Sequence, residues 1–249
     1  MVFEGADVIA RMYDHDYDAH RTPSGDVDFY VEEARRGGGP VAEFGCGTGR
    51  ILIPTLEAGI EAVGVDVSPE MLARLRAKRP NAEVYLGDMR DHDLGRRFAL
   101  VTIPFRALSH VEEPDDHVRV FSNLRRHLAP GGRLVFDVFH PRTDRLVKPH
   151  EERVDHEEGG RKIRRYGRST PERSRQRMAV VFRWEIEDAT GMVEEHTARF
   201  SMRWFHRYEL EHALARAGLG LEALYGDFDR SEFGDGSPEM IFVAKPASA

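Results

Sequence analysis

Three stretches in the first half of the chain combine residue types and spacings that can do chemistry. The run Val41, Ala42, Glu43, Phe44, Gly45, Cys46, Gly47, Thr48, Gly49, Arg50 joins apolar residues to an acid and then to alternating glycines. It reads as a buried strand breaking into a turn, after which Ile51, Leu52 and Ile53 resume as a helix. Glycines at such a turn let a ligand lie directly on the backbone, because no Cβ holds it away. The carboxylate of Glu43 repels a pyrophosphate and suits a ligand carrying an ammonium or sulfonium group. A dinucleotide fingerprint needs its third glycine where this chain has Arg50, so NAD is not the expected ligand. Asp66 closes a second apolar run, Ala62, Val63, Gly64, Val65. A carboxylate at the C-terminal end of the strand that follows a glycine turn is placed to accept hydrogen bonds from ribose hydroxyls. Asp88 and Met89 follow a third run, where an acid can accept from an adenine amino group while its large apolar neighbour covers the ring.

These residues need a scaffold that brings strand ends together. Apolar or β-branched runs predict strands over 41–44, 62–66, 82–87, 98–103 and 133–139. Helices are expected between them, one over 51–58 and one opened by Ser68 as N-cap with Pro69 in its first turn. A further helix ends before Ala129, Pro130, Gly131 and Gly132, and an earlier one covers about 26–36. Such alternation implies a parallel sheet covered on both faces, with ligands at the C-terminal strand ends, where all the residues above fall. From about residue 143 the texture changes. The stretch 150–177 is polar and, through Arg161, Lys162, Arg164, Arg165, Arg168, Arg173, Arg175 and Arg177, strongly basic. Strands over 178–186 and 194–204, joined by a turn at 188–191, predict a small antiparallel platform. A helix over 208–217 and strands over 221–225 and 240–244 complete the pattern.

Composition bounds the rest. The chain has 249 residues, enough for one large α/β domain or one domain with an elaboration. A formal net charge of −7 disfavours nucleic-acid binding that rests on overall charge. Neither a signal-like start nor an apolar run long enough to span a bilayer is present in the sequence, so a cytoplasmic protein is expected. Cys46 is the single cysteine, which excludes an internal disulfide and a thiolate zinc cage and reads as a small residue in a tight loop.

Near the N-terminus, Tyr13 and Tyr17 are spaced to share a helix face, either as a cap packed on the domain or as a lid whose phenols close on a cationic ligand. His15, Asp16, Asp18 and His20 offer metal-ligand types without a metal-binding spacing, and no metal is expected.

The span 13–139 resembles the class I S-adenosylmethionine-dependent methyltransferases. The resemblance rests on Glu43 with Gly45, Gly47 and Gly49, on Asp66, on Asp88 and Met89, on the exit of the fourth strand, and on Leu128, Ala129, Pro130, Gly131, Gly132. Gly87, Asp88, Met89, Arg90 and Asp91, together with His110, the N-terminal tyrosines and a β-rich insert, are similar to the small-molecule N-methyltransferases of the aminosugar and glycine types.

The resemblance implies a doubly wound, mainly parallel seven-stranded α/β sheet with an inserted antiparallel β platform. It divides the chain into an N-terminal helical lid (1–36), an S-adenosylmethionine-binding core (37–145), an insert over the acceptor site (146–205) and a final helix and strands of the core (206–249). It implies that Glu43, Gly45, Gly47 and Gly49 hold the methionine moiety, aided by Tyr13, and that Asp66 takes the ribose. Val67 and Met71 flank the adenine, Asp88 and Met89 meet its edge and face, and Ile103, Pro104 and Phe105 line the site beside the sulfonium. For the chemistry it offers His110, Tyr13 and Tyr17 as bases and Arg106 as a holder of a carboxylate or phosphate. His110 also reads as a helix-terminal histidine satisfied by backbone.

The expected function is methyl transfer to a small polar molecule, with an amine nitrogen preferred, by a monomer or homodimer. The alternatives are a methyltransferase gripping RNA or protein through the basic insert, and a cofactor-binding protein without chemistry. The blander reading of the basic stretch is a solvated charged strand face. The signature Asn/Asp-Pro-Pro-Tyr of amino-adenine methylation is absent after the fourth strand, which lowers a base-methylating role.

Overall fold

The computed structural model describes residues 4–20, 24–142 and 146–247, and of residues 17–20 and 158 the backbone alone. In chain order the elements begin with α1 (Ala6–His20), α2 (Asp26–Gly37), β1 (Val41–Phe44), α3 (Leu52–Glu57), β2 (Ala62–Asp66), α4 (Pro69–Lys78) and β3 (Glu83–Leu86). They continue through β4 (Phe98–Ile103), α5 (Pro114–Arg126), β5 (Leu128–Phe139), β6 (His150–Glu158), β7 (Arg161–Glu172), β8 (Arg177–Glu187) and β9 (Val193–Arg203). The last three are α6 (Arg207–Arg216), β10 (Leu219–Tyr225) and β11 (Glu239–Pro246).

The chain divides into two compact units, one of Thr22–His140 with Phe205–Ala249, the other of Met1–Arg21 with Pro141–Trp204. The first holds a seven-stranded sheet in the order β10, β11, β5, β4, β1, β2, β3. β1 lies between β2 and β4, parallel to both, and every residue of it is buried. That burial is why its sequence runs apolar on both faces except at Glu43. β11 runs antiparallel to β5 and β10. The parallel strands therefore deliver the ends of β1, β2, β3, β4 and β5 to one edge, as expected of a doubly wound sheet. Local chemistry sets the helix starts: Ser68 Oγ accepts a hydrogen bond from Met71 N–H at 3.2 Å and Pro69 opens α4. Apolar layers cover both faces, Phe121, Phe136, Phe205 and Phe242 on one, Phe29, Leu52, Leu72 and Ile241 on the other.

The second unit is a four-stranded antiparallel sheet, β6-β7-β8-β9, with α1 against it. Val8 and Met12 of α1 pack on Ile163, Trp184, Ile186 and Ala198. Asp16 reaches the same face, where it accepts from Trp184 Nε1 at 3.2 Å and lies 3.5 Å from Arg165 Nη1.

The stretch 1–36 does not stay together, because α1 folds with the four-stranded sheet and α2 with the seven-stranded one. Within the antiparallel β insert expected over 146–205, the polar stretch 150–177 forms β6 and β7. Its alternation was hidden because the face shared with Ile163 and Trp184 also carries Arg165 and Gly167, so charge and glycine stand where the eye seeks apolar residues.

Candidate active site

The glycine turn leaves β1 with Gly45 at φ +78° and Gly47 at φ +52°, backbone that L side chains rarely adopt. A Cβ on Gly45 would stand 2.6 Å from Ala107 Cβ, so the turn lies directly against the segment that follows β4. A Cβ on Gly47 would meet nothing within 4 Å, which leaves open space over the turn for a ligand.

Two acids face this turn. Glu43 is buried on β1, and burial pushes its carboxyl well above the usual range, reinforced by the charge of Asp66 and opposed by the Leu52 N–H. Asp66 ends β2. Its Oδ2 accepts from Gly47 N–H at 2.7 Å and its Oδ1 from Ser68 N–H at 2.9 Å, while burial still raises its carboxyl above the ordinary value. Each of its oxygens keeps a lone pair for a further donor. Two acids raised by burial, beside open space over glycine, suit a ligand that brings an ammonium and a pair of hydroxyls. The Cys46 thiol, between the glycines, is buried and pushed up by that burial, which keeps it unreactive.

The other expected cofactor contacts sit on the same edge. Val67 is 40% exposed after Asp66, and Met71 lies in the first turn of α4. Asp88, after β3, is engaged with Arg90: Oδ1 accepts from its backbone N–H at 2.9 Å and from Nε at 3.0 Å, and Oδ2 from Nη2 at 2.6 Å. Partial burial raises the Asp88 carboxyl, but the Arg90 bonds outweigh it and hold it net below its ordinary value. It is therefore ionised at neutral pH, and Oδ2 retains an accepting lone pair. Met89 packs toward Gly45, and Ile103 is fully buried at the end of β4.

Pro104, Phe105 and Arg106 carry the chain from β4 into a 3-10 turn at Ala107–His110 that ends on His110. Phe105 and Arg106 are both in left-handed backbone, at φ 55° and 59°. For bulky L-residues that costs roughly 1–2 kcal/mol each. The conformation is held by Asp137 near the end of β5, a fully buried acid whose Oδ1 accepts from Phe105 N–H at 2.7 Å and whose Oδ2 accepts from Arg106 N–H at 3.0 Å. Tyr30 of α2 donates its hydroxyl to Oδ1 at 2.6 Å. Arg106 itself forks onto Glu239 of β11, with its Nε 3.3 Å from Oε2. Arg50, at the end of the glycine turn, pairs with the buried Asp26 of α2 and lies 4.9 Å over the Phe105 ring.

This lattice of Asp26, Tyr30, Arg50, Asp137 and Glu239 was not singled out from the sequence. Its signals were Asp137 inside the apolar run of β5 and Glu239 opening the last strand, acids where burial is expected. It also alters the expectation for Arg106, whose guanidinium is committed to Glu239 rather than presented as a ready anion holder. Tyr13 belongs to the other unit, half-buried on α1, and the side chain of Tyr17 lies outside the described residues. Asp16, among the metal-ligand types noted near it, is engaged by Trp184 and Arg165, and the described residues contain no cluster of three or more metal-ligand types.

Comparison with known proteins decides the family. A methyltransferase-domain model matches residues 41–132, from β1 into β5. The dTDP-3-amino-3,4,6-trideoxy-alpha-D-glucopyranose N,N-dimethyltransferase of Streptomyces venezuelae is 30% identical over 187 residues, 74% of this chain and 76% of that protein. The chain is a member of the S-adenosylmethionine-dependent methyltransferases. The methyltransferase superposes on S-adenosylmethionine-bound CalS10, an amino pentose methyltransferase from Micromonospora echinaspora, with a TM-score of 0.77 and 27% identity over 95% of this chain and 97% of that one. It shares its fold with Streptomyces venezuelae DesVI, at a TM-score of 0.81 and 24% identity over 96% and 98% of the two chains. The cofactor of this methyltransferase is S-adenosylmethionine, to which the open glycine turn and its two acids are suited. Among the described residues, no helix is long and apolar enough to cross a membrane.

Proposed function

We propose that this methyltransferase N-methylates the amine of a small polar molecule, a sugar attached to a nucleoside diphosphate. The observation that carries the reading is kinship across three quarters of both chains with an enzyme named for dimethylating a dTDP-linked amino sugar. When bound, S-adenosylmethionine supplies a methyl group on a sulfonium, with its leaving group already in place. What remains for the chain is alignment and the handling of a proton. Glu43 orients an ammonium, Asp66 a pair of hydroxyls, and the segment Ile103, Pro104, Phe105 bounds the space where the acceptor meets the cofactor. His110 is proposed to take up the proton the amine sheds. An imidazole titrates near neutrality and can relay an ammonium proton, but it is too weak a base to ionise an aliphatic alcohol. Roles for Tyr13 and Tyr17 rest on the family resemblance alone.

A grip on RNA or protein by the basic insert is not favoured by its charge pattern. Arg164 pairs with Glu187 at 2.7 Å, Arg177 with Glu172 at 2.7 Å and Arg165 with Glu152 at 2.9 Å, so its arginines neutralise acids of their own sheet.

Incubating the enzyme and S-adenosylmethionine with dTDP-linked amino sugars, free amines, carboxylates and RNA, and reading methylated products by mass spectrometry, tests the proposal. Methylation of an amino sugar is expected; methylation of carboxylates or RNA with no amine product overturns it. With the acceptor in hand, His110→Ala should lower turnover about 10²–10⁴-fold and leave affinity for S-adenosylhomocysteine intact. Equal turnover would remove the base.

A further inference from the structure

We infer that Asp137 is a positioning residue of the methyl-transfer site, holding the Phe105 and Arg106 backbone against the glycine turn in the conformation that cofactor binding needs. This rests on the reading that the glycine turn binds S-adenosylmethionine. Three donors converge on its carboxylate, from the backbone of Phe105 at 2.7 Å and Arg106 at 3.0 Å and from the hydroxyl of Tyr30 at 2.6 Å. The two residues it holds have left-handed backbone, which a bulky chain leaves when nothing restrains it. The next residue, Ala107, is the neighbour against which Gly45 is packed, and Phe105 lies under Arg50 from the far end of the same turn. A segment released from Asp137 thus loosens both ends of the glycine turn.

The ionised acid fits these donors best, since its charge strengthens all three bonds, whereas an amide would replace one accepting oxygen with a donor. Burial and the charge of Glu239 raise the Asp137 carboxyl to about 7, with Tyr30, Arg106 and the Phe105 N–H pulling it down. The other charged groups around this lattice are Asp26 on α2, Glu43 on β1 and Asp227 before β11, which act on Tyr30 or Glu239. A carboxyl raised in the folded state contributes stability that is fully present below the ordinary aspartate range and lost as pH rises through about 7. Positioning runs the other way, because the charge that strengthens the clamp is present only above that pH. Stability from this group and cofactor affinity therefore move in opposite directions with pH, which a purely structural acid would not produce.

Calorimetric binding of S-adenosylhomocysteine to the whole protein between pH 6 and 8 tests this, with melting temperature recorded alongside. Wild-type affinity should rise with pH, and Asp137→Asn should bind about tenfold more weakly at pH 8, with the wild-type to variant ratio closing toward pH 6. Titration of Glu43 and Asp66 occurs in both proteins and cancels in that ratio. Tyr30→Phe keeps the ring and both backbone donors but removes one bond that lowers the Asp137 carboxyl, so its binding profile should shift to higher pH. That variant carries the test if Asp137→Asn does not fold. A pH-independent ratio, or an unshifted Tyr30→Phe profile, overturns the positioning role. No binding by wild type at pH 8 would instead overturn the cofactor site on which the clamp rests.

Discussion

Buried acids of the seven-stranded sheet and exposed or half-buried acids of the four-stranded sheet are perturbed in opposite directions. Glu43, Asp66, Asp137 and Glu239 are all raised, with burial as the largest cause. Asp155 and Glu185 are lowered, chiefly by hydrogen bonds from Arg153 and Arg183. Both regions are rich in charge, yet only the first keeps it where ionisation opposes folding. On the four-stranded sheet arginines and acids face each other across β6, β7 and β8, with Arg164 between Asp155 and Glu185 in register. Charge density in a sequence is therefore a poor guide to function. Charge buried against its own preference is a better one.

The difference fixes the sign of the pH response. The lowered acids of the four-stranded sheet contribute stability that is present above the ordinary carboxylate range and lost as pH falls through their depressed values. The raised acids contribute stability that is present in acid and lost as pH rises. Four such acids near one sheet edge therefore cost that edge stability as pH rises.

The largest effect should come from closing the space on which the site depends. Gly45→Ala puts a Cβ 2.6 Å from Ala107 Cβ at φ +78°. Strained backbone at roughly 1–2 kcal/mol and overpacking at roughly 1–3 kcal/mol together predict a loss of about 2–5 kcal/mol in unfolding free energy. Denaturant titration reads this directly. An unchanged midpoint would mean that the segment after β4 does not rest on the glycine turn.

Glu43→Gln should separate function from stability. It keeps the shape and removes the charge, so affinity for S-adenosylhomocysteine should fall by about 1.5–3 kcal/mol, the worth of a charged hydrogen bond. Thermal stability at neutral pH should not fall, because the amide escapes the cost of ionising a buried carboxyl. Retained affinity in calorimetry would take Glu43 out of the site. A clear loss of melting temperature would place it with the structural acids and erase the contrast between the two regions.

What was legible in the sequence follows the same division. Strands β1, β2 and β4 were readable to the residue, because burial on both faces of a parallel sheet demands apolar runs with sharp ends. Glu43, Asp66 and Asp88 stand out in the sequence because acids interrupt or follow those runs at their ends. β6 and β7 were not, since a two-layer unit with α1 on one face tolerates Arg165 and Gly167 on the covered side. Nor was the Asp137 lattice, whose donors come from α2 and from backbone after β4, more than thirty residues back along the chain. Spacing rules see neighbours within one element, and this carboxylate on β5 serves two others. The pairing of Arg106 with Glu239 spans 133 positions and was hidden for the same reason.

The smallest effect should come from the charged face of the four-stranded sheet. Arg164 is bonded to Glu187 at 2.7 Å and approaches Glu185 at 3.7 Å, with solvent at hand for all three side chains. Exposed pairs of this kind give little, because water already solvates the separate charges and ordering two long side chains costs entropy. A double-mutant cycle on Arg164 and Glu187 should find a small coupling at low salt that vanishes near 1 M, where the Debye length is about 3 Å. Turnover of Arg164→Ala on the identified acceptor should equal that of wild type. A coupling that survives high salt would show the pair to be shielded from water. A fall in turnover would bring this face into contact with substrate, and the contrast between a charged site and a charged surface would then have to be redrawn.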